Sequence, residues 1–133
     1  MEQGRIPGIG LQQQAQVLSD LSAAYYDQGS LDSIQYLFNL EIASQAAAAD
    51  AVICDARGHI LTCSRDPLGC SHRGLTIEGE LFDRAIRTGR STDTGVLPGL
   101  YEENRYVCAQ AIYSGKQVVG LVLVSIPTAE TMA

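Results

Sequence analysis

A chain of 133 residues has room for one domain with a proper core, and 46% hydrophobic against 18% charged residues excludes a disordered chain. The formal net charge of −6, with one lysine and no basic stripe, argues against a nucleic-acid footprint. No apolar run reaches the ~20 residues of a membrane-spanning helix, and residues 1–10 lack the apolar core of a signal peptide.

Residues 1–10 carry Gly4, Pro7, Gly8 and Gly10 and read as a flexible lead-in to a single domain over 11–133. Helical periodicity begins at Leu11: Leu11, Leu18, Leu21 and Tyr25 share a stripe, and Gly29 suits a C-cap. Ser30 is the expected N-cap of a second helix, with Ile34, Leu37, Phe38 and Glu41 at helical steps, running through the alanines at 46–49 to a stop at Asp50.

Short strands are expected over 51–55 and 59–63, joined at Ala56-Arg57-Gly58. With Arg57 and Gly58 as a two-residue loop, Val52 faces Cys63 and Cys54 faces Leu61. A third helix is expected over 78–88, with Leu81, Phe82, Ala85 and Ile86 buried and Gly89 after its end. Strands follow over 91–96, 104–113 and 117–126, the last two joined by Ser114-Gly115-Lys116-Gln117, where Gly115 suits a type II′ turn.

The run 117–126, Q-V-V-G-L-V-L-V-S-I, barely alternates, as a strand covered on both faces should. This places it in the middle of an antiparallel sheet, beside the apolar strand 51–55. The order helix, helix, strand, strand, helix and three strands defines an α+β fold.

The segment from Cys63 to Gly74 is the most unusual. Asp66, Pro67 and Gly69 fit a type I turn that would bring Cys63 and Cys70 together. A disulfide closing so short a loop contributes about 2.5 kcal/mol on the chain-entropy model. A metal held by Cys63, Cys70 and His72 lacks a fourth ligand, and a catalytic cysteine lacks a carboxylate to orient His72. Cys54 and Cys108, separated by the central strand, would lie roughly 9 to 10 Å apart, too far to bridge, and read as buried thiols.

No nucleotide-binding glycine loop, serine-hydrolase elbow, zinc-protease or kinase signature occurs, and nothing calls for a cofactor. Glu102 and Glu103 read as a solvated loop tip and His59 as an exposed turn residue. A binding site is easier to assemble. Arg65, His72 and Arg73 in the irregular segment, with Tyr101, Arg105 and Tyr106 at the start of the fourth strand, would converge on a pocket for a small ligand. The arginines suit an anionic one.

These residues carry a resemblance. A helical lead-in, A-V-I-C-D-A-R-G-H-I-L over 51–61, a loop ending C-S-H-R-G, a short helix and a closing V-V-G-L-V-L-V-S-I resemble the extracytoplasmic sensor domains of Gram-positive-type membrane histidine kinases. Those are PAS-like folds of the single Cache or PhoQ-DcuS-CitA group, and the resemblance spans 11–126. It implies a five-stranded sheet in the order 2-1-5-4-3 and a ligand held between the sheet and the segment joining strands two and three. It also implies a homodimer of a larger protein, with membrane helices flanking the domain and kinase chemistry elsewhere in that protein. The alternative is a cytoplasmic dimerising module of the roadblock or GAF type, which would keep Cys63 and Cys70 reduced.

Overall fold

The computed structural model describes residues 7–31, 33–64, 74–95 and 104–128. The elements are α1 (Pro7–Asp27), α2 (Ile34–Ala47), β1 (Asp50–Asp55), β2 (Ile60–Cys63), α3 (Glu80–Thr88), β3 (Arg90–Gly95), β4 (Arg105–Ser114) and β5 (Gln117–Pro127). The five strands form one antiparallel sheet in the order β2-β1-β5-β4-β3. The α+β class and the central place of the valine-rich run are as the sequence pattern implies, and the strand order is the one the resemblance implies.

β5 is covered on both faces, which explains its lack of alternation. On one side Leu121 and Leu123 join Val52, Cys54 and Val107 beneath Phe82 and Ala85 of α3. On the other, Val122 and Val124 join Ile53, Cys108 and Ile112 beneath Leu11, Ala15 and Leu18 of α1 and Leu40 of α2. Gly120 interrupts the run because β1 passes too close for a side chain: a Cβ there would stand 2.4 Å from the Cys54 carbonyl oxygen. The β4–β5 turn places Gly115 at φ +64 and no other residue of the turn at positive φ, as a type II′ turn requires.

Several boundaries and contacts differ from expectation. α1 begins at Pro7, inside the expected lead-in; proline is tolerated in a first turn, where its missing N–H has no helical partner to lose. Ser33, not Ser30, caps α2, its Oγ accepting from the Tyr36 N–H at 3.2 Å. Ser30 closes α1 instead: its N–H and hydroxyl both donate to the Tyr25 carbonyl, next to Gly29 at φ +71. α2 ends at Ala48, which takes the left-handed cap conformation, so Asp50 opens β1 and does not close the helix.

The apolar stripe of α2 is also shifted. Tyr36, Leu37 and Leu40 are buried, whereas Ile34 is 71% and Phe38 60% exposed. α2 has apolar residues on opposite sides, Ile34, Phe38 and Ile42 on one and Tyr36, Leu37 and Leu40 on the other, so periodicity could not choose its inner face. α3 begins at Glu80, leaving Glu78 outside its first turn, and of the expected stripe it buries Phe82 and Ala85, with Leu81 and Ile86 half-buried beside them.

The β1–β2 hairpin has a three-residue loop. Asp55 donates its N–H to His59 O at 3.0 Å and accepts from Gly58 N–H at 3.0 Å, with Gly58 at φ +91. This is a type I turn followed by a left-handed residue. Val52 faces Cys63 as expected, but a register shift after Ile53 sets Cys54 opposite Ile60, not Leu61. Asp55 selects the longer loop, because its Oδ1 accepts from both Arg57 N–H and His59 N–H at 2.9 Å.

Candidate functional site

Alternation along the strands decides what can meet. On β4, Val107, Ala109 and Ala111 point to the α3 face, while Cys108 and Ile112 point to the α1 face. Arg105 therefore belongs to the α3 face, whereas Tyr106 packs against the cluster beneath α1. One pocket does not take both, which separates two of the expected ligand residues. Arg65, His72, Arg73 and Tyr101, and with them Cys70, lie outside the described residues; Cys63 is buried at the end of β2.

Arg105 is fully buried, at 0% exposure, and crosses the end of the sheet. Its Nε donates to Ser125 Oγ on β5 at 2.9 Å, and its Nη2 donates to the Asp50 carboxylate on β1 at 2.6 Å and to the Ser125 carbonyl at 3.3 Å. A guanidinium taken out of water needs such an arrangement: a close countercharge and acceptors for its remaining N–H groups. The three strands are thus tied together where β1 begins and β5 ends.

Asp50 in turn faces a cleft. This opening of about 300 Å³ lies where α2 hands over to β1 and beside the end of β2, lined by Ser44, Gln45, Ala48, Ala49, Asp50 and Ser64. The serine pair is positioned from both sides. Ser44 Oγ on α2 donates to the Ala49 carbonyl and shares a 2.9 Å bond with Ser64 Oγ, which accepts from the Ala51 N–H at 2.8 Å. The Asp50 side chain keeps 20% of its surface open. Behind the cleft lies Arg105, so a change at Asp50 reaches β4 and β5 directly.

A second polar group fastens α1 to the sheet. Arg90, at the start of β3, donates from Nε to Gln110 Oε1 at 2.7 Å and from Nη2 and Nη1 to Gln16 and Gln12 of α1 at 3.2 and 3.5 Å. Ser19 Oγ donates to the Ala111 carbonyl at 2.7 Å, and Ser22 shares a 2.7 Å bond with the Tyr36 hydroxyl. With Ala15 these small buried residues let the helix lie close on the strands. Polar bonds hold it there in one register.

Cys54 and Cys108 are buried thiols on opposite faces of the sheet, with β5 between their strands, as expected. Burial pushes Cys54 up to about 12 and Cys108 up to about 11, so neither is a nucleophile at neutral pH. Among the described residues no group of three or more His, Cys, Asp and Glu is placed to hold a metal ion. His59 is exposed, as expected, and pairs with Asp55 at 3.3 Å.

Sequence reasoning missed Asp50, Ser125, Ser44 and Ser64. Asp50 looks like a helix stop, and the serines carry no signal of their own. The one available clue was an arginine opening a strand in which nearly every residue is apolar.

No protein-family model and no curated protein sequence matches this chain. Its fold does match a solved structure, titled "Crystal structure of the V. cholerae Histidine Kinase DctB Sensor Domain", with a TM-score of 0.62 at 17% identity. The match covers 81% of this chain and 42% of that one, so the chain corresponds to less than half of that sensor domain. The likeness establishes the fold alone: an α+β domain whose five-stranded antiparallel sheet runs in the order 2-1-5-4-3. No described helix is long and apolar enough to cross a membrane.

Proposed function

We propose that this domain is the extracytoplasmic input unit of a larger, membrane-anchored sensor histidine kinase, and that it binds a small ligand without transforming it. The observation that carries the reading is the topological match to a histidine kinase sensor domain across four-fifths of the chain. The parent protein works as a homodimer, with membrane helices continuing from the two ends of the domain. Kinase chemistry resides in its other parts.

The geometry supports a route for the signal. Ligand binding alters the Asp50–Arg105–Ser125 tie, which holds β1, β5 and β4 in register. β4 in turn carries α1, through Ser19 at Ala111 and Arg90 at Gln110. A small displacement of the strands would then move α1 as a rigid rod between two arrangements of the dimer.

Alkaline phosphatase fused after Thr128 in the parent gene product tests the placement, because that enzyme is active only when exported. Activity in intact cells is the expected result. An inactive fusion with a stable, full-length product would overturn the reading in favour of a cytoplasmic module.

A further inference from the structure

α2 is apolar on two opposite sides and covered on only one. Its outer side carries Ile34, Phe38 and Ile42 at successive four-residue steps, 71, 60 and 48% exposed. Three large apolar side chains standing in one row in water mark an interaction surface. The other exposed residues of the helix, Gln35, Gln45 and Ala46, are uncharged, although the chain as a whole carries −6. Glu41, the one charged residue of α2, is half-buried at the edge of the row.

The direction of the helix decides what can cover this row. α1 ends beside the β4–β5 turn, where Asp27 accepts from Ser114 Oγ at 2.8 Å, so it begins toward the end of the sheet at which β5 leaves. α2 lies antiparallel along α1: Gln14 Nε2 donates to the Ala43 carbonyl at 3.4 Å, and Ser22 shares its 2.7 Å bond with Tyr36. With membrane helices continuing from both ends of the domain, a two-fold axis along the membrane normal follows the direction of both helices. A helix packed on its own copy about such an axis is parallel and in register, so each residue meets itself and any charge meets its like. α1 presents Asp20 and Asp27 on its open side, whereas the row on α2 is free of charge.

We infer that the outer side of α2 is the face through which two copies of this chain associate, with Ile34, Phe38 and Ile42 packing on the same residues of the second copy in a parallel helix pair. The inference rests on the sensing reading above and places the dimer contact that the reading leaves open. The 14 residues of α2 make about 20 Å of helix, and a face that short buries less than the ~800 Å² per partner of a standard stable interface. The free domain therefore associates weakly, and anchoring both copies in one membrane supplies the effective concentration.

The test is sedimentation equilibrium of the 133-residue chain up to about 1 mM, the concentration that such tethering provides. A reversible monomer–dimer equilibrium is expected. Phe38→Glu and Phe38→Lys should each weaken it at least about tenfold, and an equimolar mixture of the two should recover association, because residue 38 faces its own copy. Val17→Glu, at a 57% exposed position on the open side of α1, should leave the equilibrium unchanged. Both positions are exposed, so circular dichroism and the unfolding temperature should show the fold intact in all three variants.

A chain that stays monomeric throughout, or a dimer that Val17→Glu disrupts and Phe38→Glu does not, overturns the α2 contact. A mixture that fails to recover association overturns the parallel pairing. Flotation of the chain with phosphatidylcholine vesicles, abolished by Phe38→Glu and unaccompanied by self-association, assigns the row to lipid and overturns the contact as well. The exported fusion above reports placement alone: an active fusion with a monomeric chain sinks this inference and leaves the sensing reading standing.

Discussion

Arg105 is the largest side chain that the described part of the domain buries completely, and its partner Asp50 remains partly wet. That asymmetry predicts unequal costs. Asp50→Ala leaves a guanidinium in the interior with its close countercharge gone, and should destabilise by about 3 to 5 kcal/mol. Arg105→Met leaves a carboxylate that the cleft can hydrate, and should cost clearly less. Because the two act as a unit, the double variant should lose less than the two single losses added together. Urea unfolding of the three variants and the parent chain measures all of this. Equal single costs that simply add would show that the pair is not coupled.

At the scale of elements, the β1–β2 hairpin shows how one side chain sets a register. Partial burial pushes the Asp55 carboxyl up. The N–H groups of His59 and Arg57 and the charge and side chain of His59 outweigh it, and hold the group below the ordinary carboxylate range. A depressed folded value means that the unfolded chain takes up protons first. The stabilisation is therefore fully present above the unfolded pKa of about 3.9 and is lost as pH falls through the folded value. The unfolding temperature of the chain should exceed that of Asp55→Asn at pH 6, and the gap should nearly close by pH 2.5. A gap that stays constant would assign the turn to shape alone.

Gly58 completes the same hairpin: a Cβ there would meet the Ile77 carbonyl oxygen at 2.4 Å, and Ile77 N–H donates to Gly58 O at 2.8 Å. The turn thereby fastens the approach to α3 as well as joining two strands. A reader of the sequence sees the glycine and infers a turn. The three-residue loop follows only when Asp55 is granted both backbone N–H groups.

For the whole molecule, the sheet divides two apolar clusters, with Cys54 and Cys63 in the one under α3 and Cys108 in the one under α1. Reaching either requires an opening of its layer. With Cys63 and Cys70 replaced by alanine, Ellman's reagent at pH 8 should find no reactive thiol in the folded chain and two in urea. Burial and the raised thiol pKa values act in the same direction. If Cys108 alone reacted quickly, α1 would be lifting from the sheet without global unfolding. That result would give the signalling route a direct dynamic measure.

The sequence by itself determined the element order, the antiparallel class and the central place of residues 117–126. Those follow from local physics: turn glycines, helix periodicity, and a strand too apolar to face water. It also placed Cys54 and Cys108 as buried thiols, because a strand between them keeps them from bridging. Only the tertiary structure decided which face of α2 is inside, since apolar residues on opposite sides of that helix leave periodicity two faces to choose between. It likewise decided that Arg105 and Tyr106, neighbours in sequence, part to opposite sides of β4, and that Arg105 meets Asp50 from 55 residues away. Charge pairing across strands depends on register and burial, and neither is written in the spacing of the residues that pair.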